Sequence, residues 1–155
     1  MKSAVLFLAV AAVCIPAFAQ SGGNADVFSA AQIREKLTTL ATQATATGSA
    51  GVTLADYGSH KVQLSVRTSS GGAEVHAHFD DVMIVQQGSA TLITGGTVIG
   101  PKSTPEGETK GTGIQGGKSQ TISPGDLVTV NAGVPHQIIV SPGTTYSAVV
   151  IKVRE

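Results

Sequence analysis

Three of the chain's four histidines lie in two short stretches whose residue types suit metal binding. His76 and His78 are two residues apart within the stretch Glu74–Gly88, and His136 lies much further along the chain. Because side chains at i and i+2 of a β-strand point to the same face, a strand from Glu74 to His78 would project Glu74, His76 and His78 together. Imidazole nitrogens and carboxylate oxygens are ligands of divalent transition metals. The pattern indicates a metal site, and the alternative is a pair of histidines lining a solvated barrel end.

The elements that position these histidines are predicted to be short strands. Apolar and polar residues alternate from Val62 to Val66, as in a half-buried strand, and turn sequences rich in glycine, proline, serine and asparagine recur after it. Many short strands at even spacing favour an all-β sandwich or barrel. The further predicted strands are Glu74–His78, Asp81–Gln87, Ala90–Thr94, Ser119–Ile122, Leu127–Val130, the strand that begins at His136, and Tyr146–Val153.

One helix is predicted before the strands. Ser29 can cap it, with Gln32 as the capping-box partner, and the helix then runs to about Ala44. Apolar residues recur along one face at i, i+4, i+7 and i+11, at Ile33, Leu37, Leu40 and Ala44. This stripe is expected to pack on the domain core, with a partner-binding surface as the alternative. Residues 46–51 are predicted to form a loop.

Residues 95–118 differ from the rest of the chain. Eight of these 24 residues are glycine, two are proline, and no hydrophobic period survives. We expect an excursion without regular structure, either a lid over the barrel mouth or a disordered segment. The spacing of the glycines does not match a phosphate-binding loop.

The chain resembles members of the cupin superfamily, which are small barrels of jelly-roll topology with two sequence motifs. The first motif is an H-x-H pair, an acid and a closing glycine seven residues after the acid, which His76, His78, Asp81 and Gly88 fit. The second runs from a glycine through P-x-G-x-x-H, which Gly125, Gly133 and His136 fit, with Asn131 in place of the usual proline. The resemblance covers roughly residues 62–153, with a long insertion between the motifs.

The resemblance implies a metal bound by His76, His78, Asp81 and His136. The metal would be a divalent transition ion such as Mn, Fe, Ni or Zn. Asp81 stands where glutamate is usual and lies one residue early, so Asp80 and Glu74 are alternative acid ligands. Apolar side chains are expected to surround this site, with Met83, Val85, Ile138 and Val140 as the candidates.

The N-terminus has the pattern of a Sec-type signal peptide. Lys2 is a positive start, residues 4–15 are an apolar run, and Ala17-Phe18-Ala19 is a small-residue cleavage site. Cleavage after Ala19 would leave a periplasmic or secreted protein without a membrane anchor, and a retained anchor is the alternative. Cys14, the single cysteine, lies in this segment. Any metal in the mature chain must therefore be held by nitrogen and oxygen ligands.

These expectations define the domains and the candidate functions. Residues 1–19 are a signal peptide, 20–50 a segment with the amphipathic helix, and 51–155 a cupin-type double-stranded β-helix barrel with the insertion 95–118. Ten basic and ten acidic residues, without a basic patch, argue against nucleic acid as a partner. The hypotheses are a metal-dependent enzyme of oxygenase, isomerase or lyase type on a small molecule, a non-catalytic ligand-binding module, and a homodimeric scaffold. No catalytic residue is assigned.

Overall fold

Two antiparallel β-sheets face each other, and one helix covers the outer face of one sheet. The computed structural model describes residues 25–155, and the predicted signal peptide lies outside the described residues. In chain order the elements are α1 (Ala30–Thr47), β1 (Ser49–Asp56), β2 (His60–Arg67), β3 (Ala73–His76), β4 (Phe79–Gln87), β5 (Ala90–Thr94), β6 (Thr97–Ile99), β7 (Lys102–Ser103), β8 (Glu108–Gly111), β9 (Gly113–Gln115), β10 (Lys118–Ile122), β11 (Leu127–Val130), β12 (His136–Ile139) and β13 (Tyr146–Arg154).

The helix forms as its sequence predicts. Ser29 is the N-cap, and both halves of the capping box with Gln32 are present. The apolar stripe packs on Leu64 and Val66 of β2, which confirms that it faces the domain. The predicted loop at 46–51 is wrong, because Gly48 ends the helix in a left-handed conformation (φ 82°) and β1 begins at the next residue. No helix among residues 25–155 is long and apolar enough to span a membrane.

The five-stranded sheet has the order β1-β2-β13-β4-β11, with every neighbouring pair antiparallel. Alternation along β2 gives the two faces different roles. Leu64 and Val66 point to the helix, whereas Ser65 and Arg67 line a cavity on the opposite side. The helix therefore closes one face of this sheet and leaves the other face to form the interior of the barrel.

The six-stranded sheet has the order β10-β5-β12-β3-β8-β7 and supplies the other half of the core. Residues from both sheets form one buried apolar cluster. This cluster includes Met83, Val85, Ile138 and Val140, and all four are buried. Of these four side chains, which were expected to surround the site, Met83 and Ile138 also line the cavity between the sheets.

The insertion is not an irregular excursion, and that expectation is wrong. β6 pairs with β9, β7 pairs with β8, and β8 pairs with β3, so that His76 lies opposite Glu108. Gly111 permits this packing, because a Cβ there would collide with Val98 and with the backbone of Ile99. The strands β7 and β8 thus widen the six-stranded sheet and place a carboxylate beside a histidine, while β6 and β9 form a separate two-stranded sheet.

The predicted strand Glu74–His78 is too long. β3 ends at His76, and the chain bends at Ala77 and His78 before β4 begins. The backbone N–H of Ala77 donates to the carbonyl of Gly107 at 2.9 Å, which fixes this bend. The alternation of faces therefore stops at His76, and the His78 side chain is exposed.

Candidate metal centre

His76 and His136 lie next to each other in the interior, each 5% exposed, with ring centroids 5.1 Å apart. Barrel closure brings them together, because the first residue of β12, His136, pairs with Glu74 of β3. The two cupin-like motifs therefore meet in space through one histidine each.

Two carboxylates lie beside these rings. Asp81 Oδ2 is 3.3 Å from His76 Nε2 and 3.7 Å from His136 Nε2. Glu74 Oε2 is 3.9 Å from His76 Nε2. Glu74, His76 and His136 can each present one ligand atom within 4.8 Å of the others. Nitrogen and oxygen donors of this kind fit Mn, Fe, Ni or Zn.

The Nδ1 atom of each ring already has a hydrogen-bond partner. His76 Nδ1 lies 2.6 Å from Glu108 Oε2, and His136 Nδ1 lies 3.2 Å from the carbonyl of Val134. Because a carboxylate and a carbonyl accept hydrogen bonds, each Nδ1 carries the proton and each Nε2 is left with a lone pair. Metal-binding histidines are commonly oriented in this way.

The Nε2 atom of His76 is the clearest sign that a cation belongs here. It is buried and has no hydrogen-bond partner within residues 25–155, although Asp81 Oδ2 is only 3.3 Å away. A lone pair that faces a carboxylate oxygen is unfavourable unless a proton or a metal ion lies between them. The residues present therefore fit a bound metal ion.

The pKa values of the two histidines move in opposite directions. Burial, the largest single influence, would lower the pKa of His76, but the contact with Asp81 and the negative charges of Asp81 and Glu108 together raise it overall. Burial lowers the pKa of His136, and the hydrogen bond to Val134 only partly opposes this. In the metal-free protein His76 is thus the ring that takes up a proton, and a metal ion binding at Nε2 would displace it.

Asp81 is shared between the histidines and a lysine. Lys152 lies opposite Asp81 in the β13–β4 register, and its Nζ donates to Asp81 Oδ1 at 2.7 Å. Burial would raise the pKa of Asp81, but His76 and Lys152 outweigh it and lower the pKa. Glu74 has weaker ionic contacts, 3.9 Å to Arg67 and 4.0 Å to Lys110. Glu74 is therefore the acid more available to a metal, and Asp81 is a second acid beside it.

Not all four predicted ligands come together. His76, His136 and Asp81 share the site, but His78 is exposed on the bend beside Gly107 and does not join them. The expectation that His78 projects with His76 is wrong because the strand ends at His76. The alternative acid Asp80 is also directed elsewhere, since its Oδ1 accepts the backbone N–H of Ala132 at 2.7 Å.

Two residues of the site were missed at the level of sequence. Glu108 lies in the glycine-rich insertion, where no pattern distinguishes it. Lys152 could have been predicted from the sequence. It continues the inward-facing alternation of Tyr146, Ala148 and Val150 along the last strand. A charged residue on an inward face indicates a buried partner.

A cavity of about 160 Å³ lies beside the centre, between the two sheets. Asp81, Glu74 and His136 line it, together with Arg67 and Tyr146. The Tyr146 hydroxyl is buried without a hydrogen-bond partner in the described part of the chain. Burial raises the pKa of Tyr146 to about 12, so this hydroxyl remains a protonated donor near neutral pH.

The sequence matches no protein-family model and no curated protein. Solved structures share its fold. TT1209 from Thermus thermophilus is 14% identical, with a TM-score of 0.52 over 70% of this chain and 85% of that chain. KdgF from Halomonas sp. is 14% identical, with a TM-score of 0.50 over 70% and 82% of the two chains. The polyketide cyclase RemF from Streptomyces resistomycificus is 18% identical, with a TM-score of 0.50 over 69% and 67%.

These likenesses, together with the two facing antiparallel sheets and the single helix of residues 25–155, show that the chain has the fold of the cupin superfamily. Some similar structures are longer, and the chain spans only 46% and 62% of two of them. At these identities the likeness concerns the fold alone. A shared fold does not by itself determine function, which depends on the residues of the site.

Proposed function

We propose that this chain is a metal-binding cupin that holds one divalent transition ion through His76, His136 and Glu74 and binds a small molecule beside it. The observation that carries the proposal is the buried Nε2 of His76, which faces a second histidine and two acids without a hydrogen bond. Asp81 is the additional oxygen donor within reach. His78, exposed on the bend, is left out of the ligand set.

The residues around the proposed ion have separate tasks. Glu108 and the Val134 carbonyl hold the two rings with Nε2 turned inward. Lys152 compensates the charge of Asp81. The buried Met83 and Ile138 line the adjacent cavity and limit its contact with water. A bound divalent ion would supply a Lewis acid for a substrate oxygen, and oxygenase, isomerase and lyase activities are the catalytic forms of this proposal.

Metal analysis of protein purified without chelators tests the proposal. We expect close to one equivalent of Mn, Fe, Ni or Zn in the wild type and its loss in His76→Ala and His136→Ala. His78→Ala is the matched control, since it removes a histidine of the same motif that lies outside the cluster, and should keep the metal. A wild-type protein without metal, whose melting temperature does not rise on adding any of the four ions, would contradict the proposal.

One observation favours a second candidate, a non-catalytic module that binds a small molecule without metal. The ammonium group of Lys152 already neutralises Asp81 at 2.7 Å, so the cavity holds a cation of its own. In that case ligand-dependent stabilisation should survive His76→Ala and His136→Ala. Parallel loss of metal and of ligand binding in both variants would eliminate this candidate.

We also propose that the protein is exported. The support is the sequence pattern of Lys2, the apolar run 4–15 and the Ala17-Phe18-Ala19 site. Expression in a bacterium, followed by fractionation and mass spectrometry of the intact protein, tests it. A mature chain that begins at Gln20 in the periplasm or medium is expected, and an uncleaved chain in the cytoplasm would count against export.

A further inference from the structure

Two of the polar side chains that line the cavity outside the proposed metal centre, Arg67 and Tyr146, are neighbours. Arg67 and Tyr146 lie directly opposite each other in the antiparallel β2–β13 register, and both line the cavity. Cross-strand partners have neighbouring side chains. The cavity is therefore polar beside Arg67 and Tyr146 and apolar where Met83 and Ile138 line it.

Tyr146 indicates that a ligand completes this part of the cavity. Its side chain is 2% exposed, and its hydroxyl makes no hydrogen bond to any residue from 25 to 155. Buried polar groups are nearly always paired in folded proteins, so the unpaired hydroxyl of a residue that lines the cavity is available to an external acceptor. A tyrosine hydroxyl can donate to a ligand oxygen.

Arg67 is similarly available. Its side chain is 20% exposed, and its Nη2 lies 3.9 Å from Glu74 Oε1, which is too long for a hydrogen bond. A guanidinium presents donors in a planar fork that matches a carboxylate in two-point contact. Glu74 extends its other oxygen toward His76, so Arg67 lies close to the proposed ion as well.

The charges favour an anion once the metal is bound. Three carboxylates, Glu74, Asp81 and Glu108, face two cations, Arg67 and Lys152, which leaves one negative charge with neutral histidines. A divalent ion reverses the balance to one positive charge. An exposed Lys110, 4.0 Å from Glu74, adds to the positive side. This excess of positive charge attracts a negatively charged ligand.

We propose that the cavity binds a small organic carboxylate, held by the guanidinium of Arg67 and the hydroxyl of Tyr146. The inference rests on the proposed function, in which the remainder of the ligand lies next to the metal ion. The volume of the cavity limits the size of this ligand. A cavity of about 150 Å³ accommodates benzene, so about 160 Å³ suits a molecule of roughly six heavy atoms.

Calorimetric titration with matched probes tests the ligand class. Lactate and glycerol have the same number of heavy atoms but differ in charge, as do acetate and acetamide. For metal-loaded wild type, each carboxylate should bind at least tenfold more tightly than its neutral partner. Arg67→Met should lose this preference at unchanged metal content, and Arg67→Lys should retain part of it. Tyr146→Phe should weaken binding severalfold without changing the metal content.

The matched control is Arg34→Met, which removes an exposed arginine of the helix outside the cavity and should leave carboxylate binding unchanged. If neither carboxylate is preferred, or if both folded Arg67 variants bind as the wild type does, the carboxylate proposal is wrong while the metal proposal stands. If the wild type holds no metal, the metal proposal fails. The carboxylate proposal then fails with it, because the metal-free cavity keeps a net negative charge.

Discussion

His76 Nδ1 and Glu108 Oε2 lie 2.6 Å apart, so a buried histidine is oriented by an acid from the insertion between the two motifs. The pairing of β3 with β8 places these residues opposite each other. The insertion is therefore part of the proposed metal centre. It determines which nitrogen of His76 faces the cavity, and through that nitrogen it controls how well the ring can bind a metal ion.

Replacing Glu108 should weaken metal binding without unfolding the protein. Glu108→Gln keeps an acceptor oxygen but loses the charge that strengthens the Nδ1–H bond, and Glu108→Ala loses both. Because outer partners of metal-binding histidines typically contribute about 10- to 100-fold in affinity, we expect a loss of about tenfold in Glu108→Gln and more in Glu108→Ala. Competition with a chromogenic chelator measures this loss of affinity for the metal ion. Glu106→Gln, an exposed acid two residues earlier, should have no effect.

Glu74 should be the acid whose loss most affects metal binding. Its carboxylate lies within reach of both histidines and has no ionic contact closer than 3.9 Å among the described residues, so it is free to bind an ion. Glu74→Gln should lower the affinity at least tenfold, measured by the same chelator competition. Asp80→Asn is the matched control, because an amide oxygen can still accept the N–H of Ala132. Equal losses in the two variants would remove Glu74 from the ligand set.

The sequence predicts the barrel well because alternation and turn residues are local signals. The strands β5 and β11 lie where the alternation predicts them, and the helix cap at Ser29 follows from a four-residue pattern. The end of β3 is different. It depends on the bond from Ala77 to Gly107, thirty residues away, and on pairing with β8. Local spacing could therefore not reveal that His78 leaves the strand.

The difference between local sequence signals and long-range contacts also separates the predicted residues of the site from the missed ones. His76 and His136 follow from motif spacing, since each opens or closes a strand of the barrel. Glu108 is 32 residues from His76, and only the register between β3 and β8 brings the two together. Strand register across a glycine-rich insertion has no local signal in the sequence. The acid that orients the ring was thus visible only in the fold.

Lys152→Met should destabilise the metal-free protein more than the metal-loaded one. The substitution leaves the buried Asp81 carboxylate without its closest cation. Breaking a buried ion pair costs about 3–5 kcal/mol, and the partial exposure of Lys152 reduces this to about 2 kcal/mol. A divalent ion beside Asp81 would restore the missing charge. Urea unfolding with and without metal measures both values, with Lys118→Met, an exposed lysine, as the control. Equal destabilisation in both states would show that the metal does not compensate Asp81.

The helix should matter for stability and not for metal binding. Leu40 is 5% exposed and packs with Leu64 and Val66 on the face of the five-stranded sheet opposite the cavity. Leu40→Ala should lower the free energy of unfolding by about 2–4 kcal/mol, because it removes buried methyl groups and leaves a void. Urea titration measures the loss, and Val27→Ala, at a 79% exposed position, should change little. Metal content should be unchanged in both variants at temperatures where they are folded. A folded Leu40→Ala protein without metal would show that the helix side of the sheet helps to set the geometry of the metal centre.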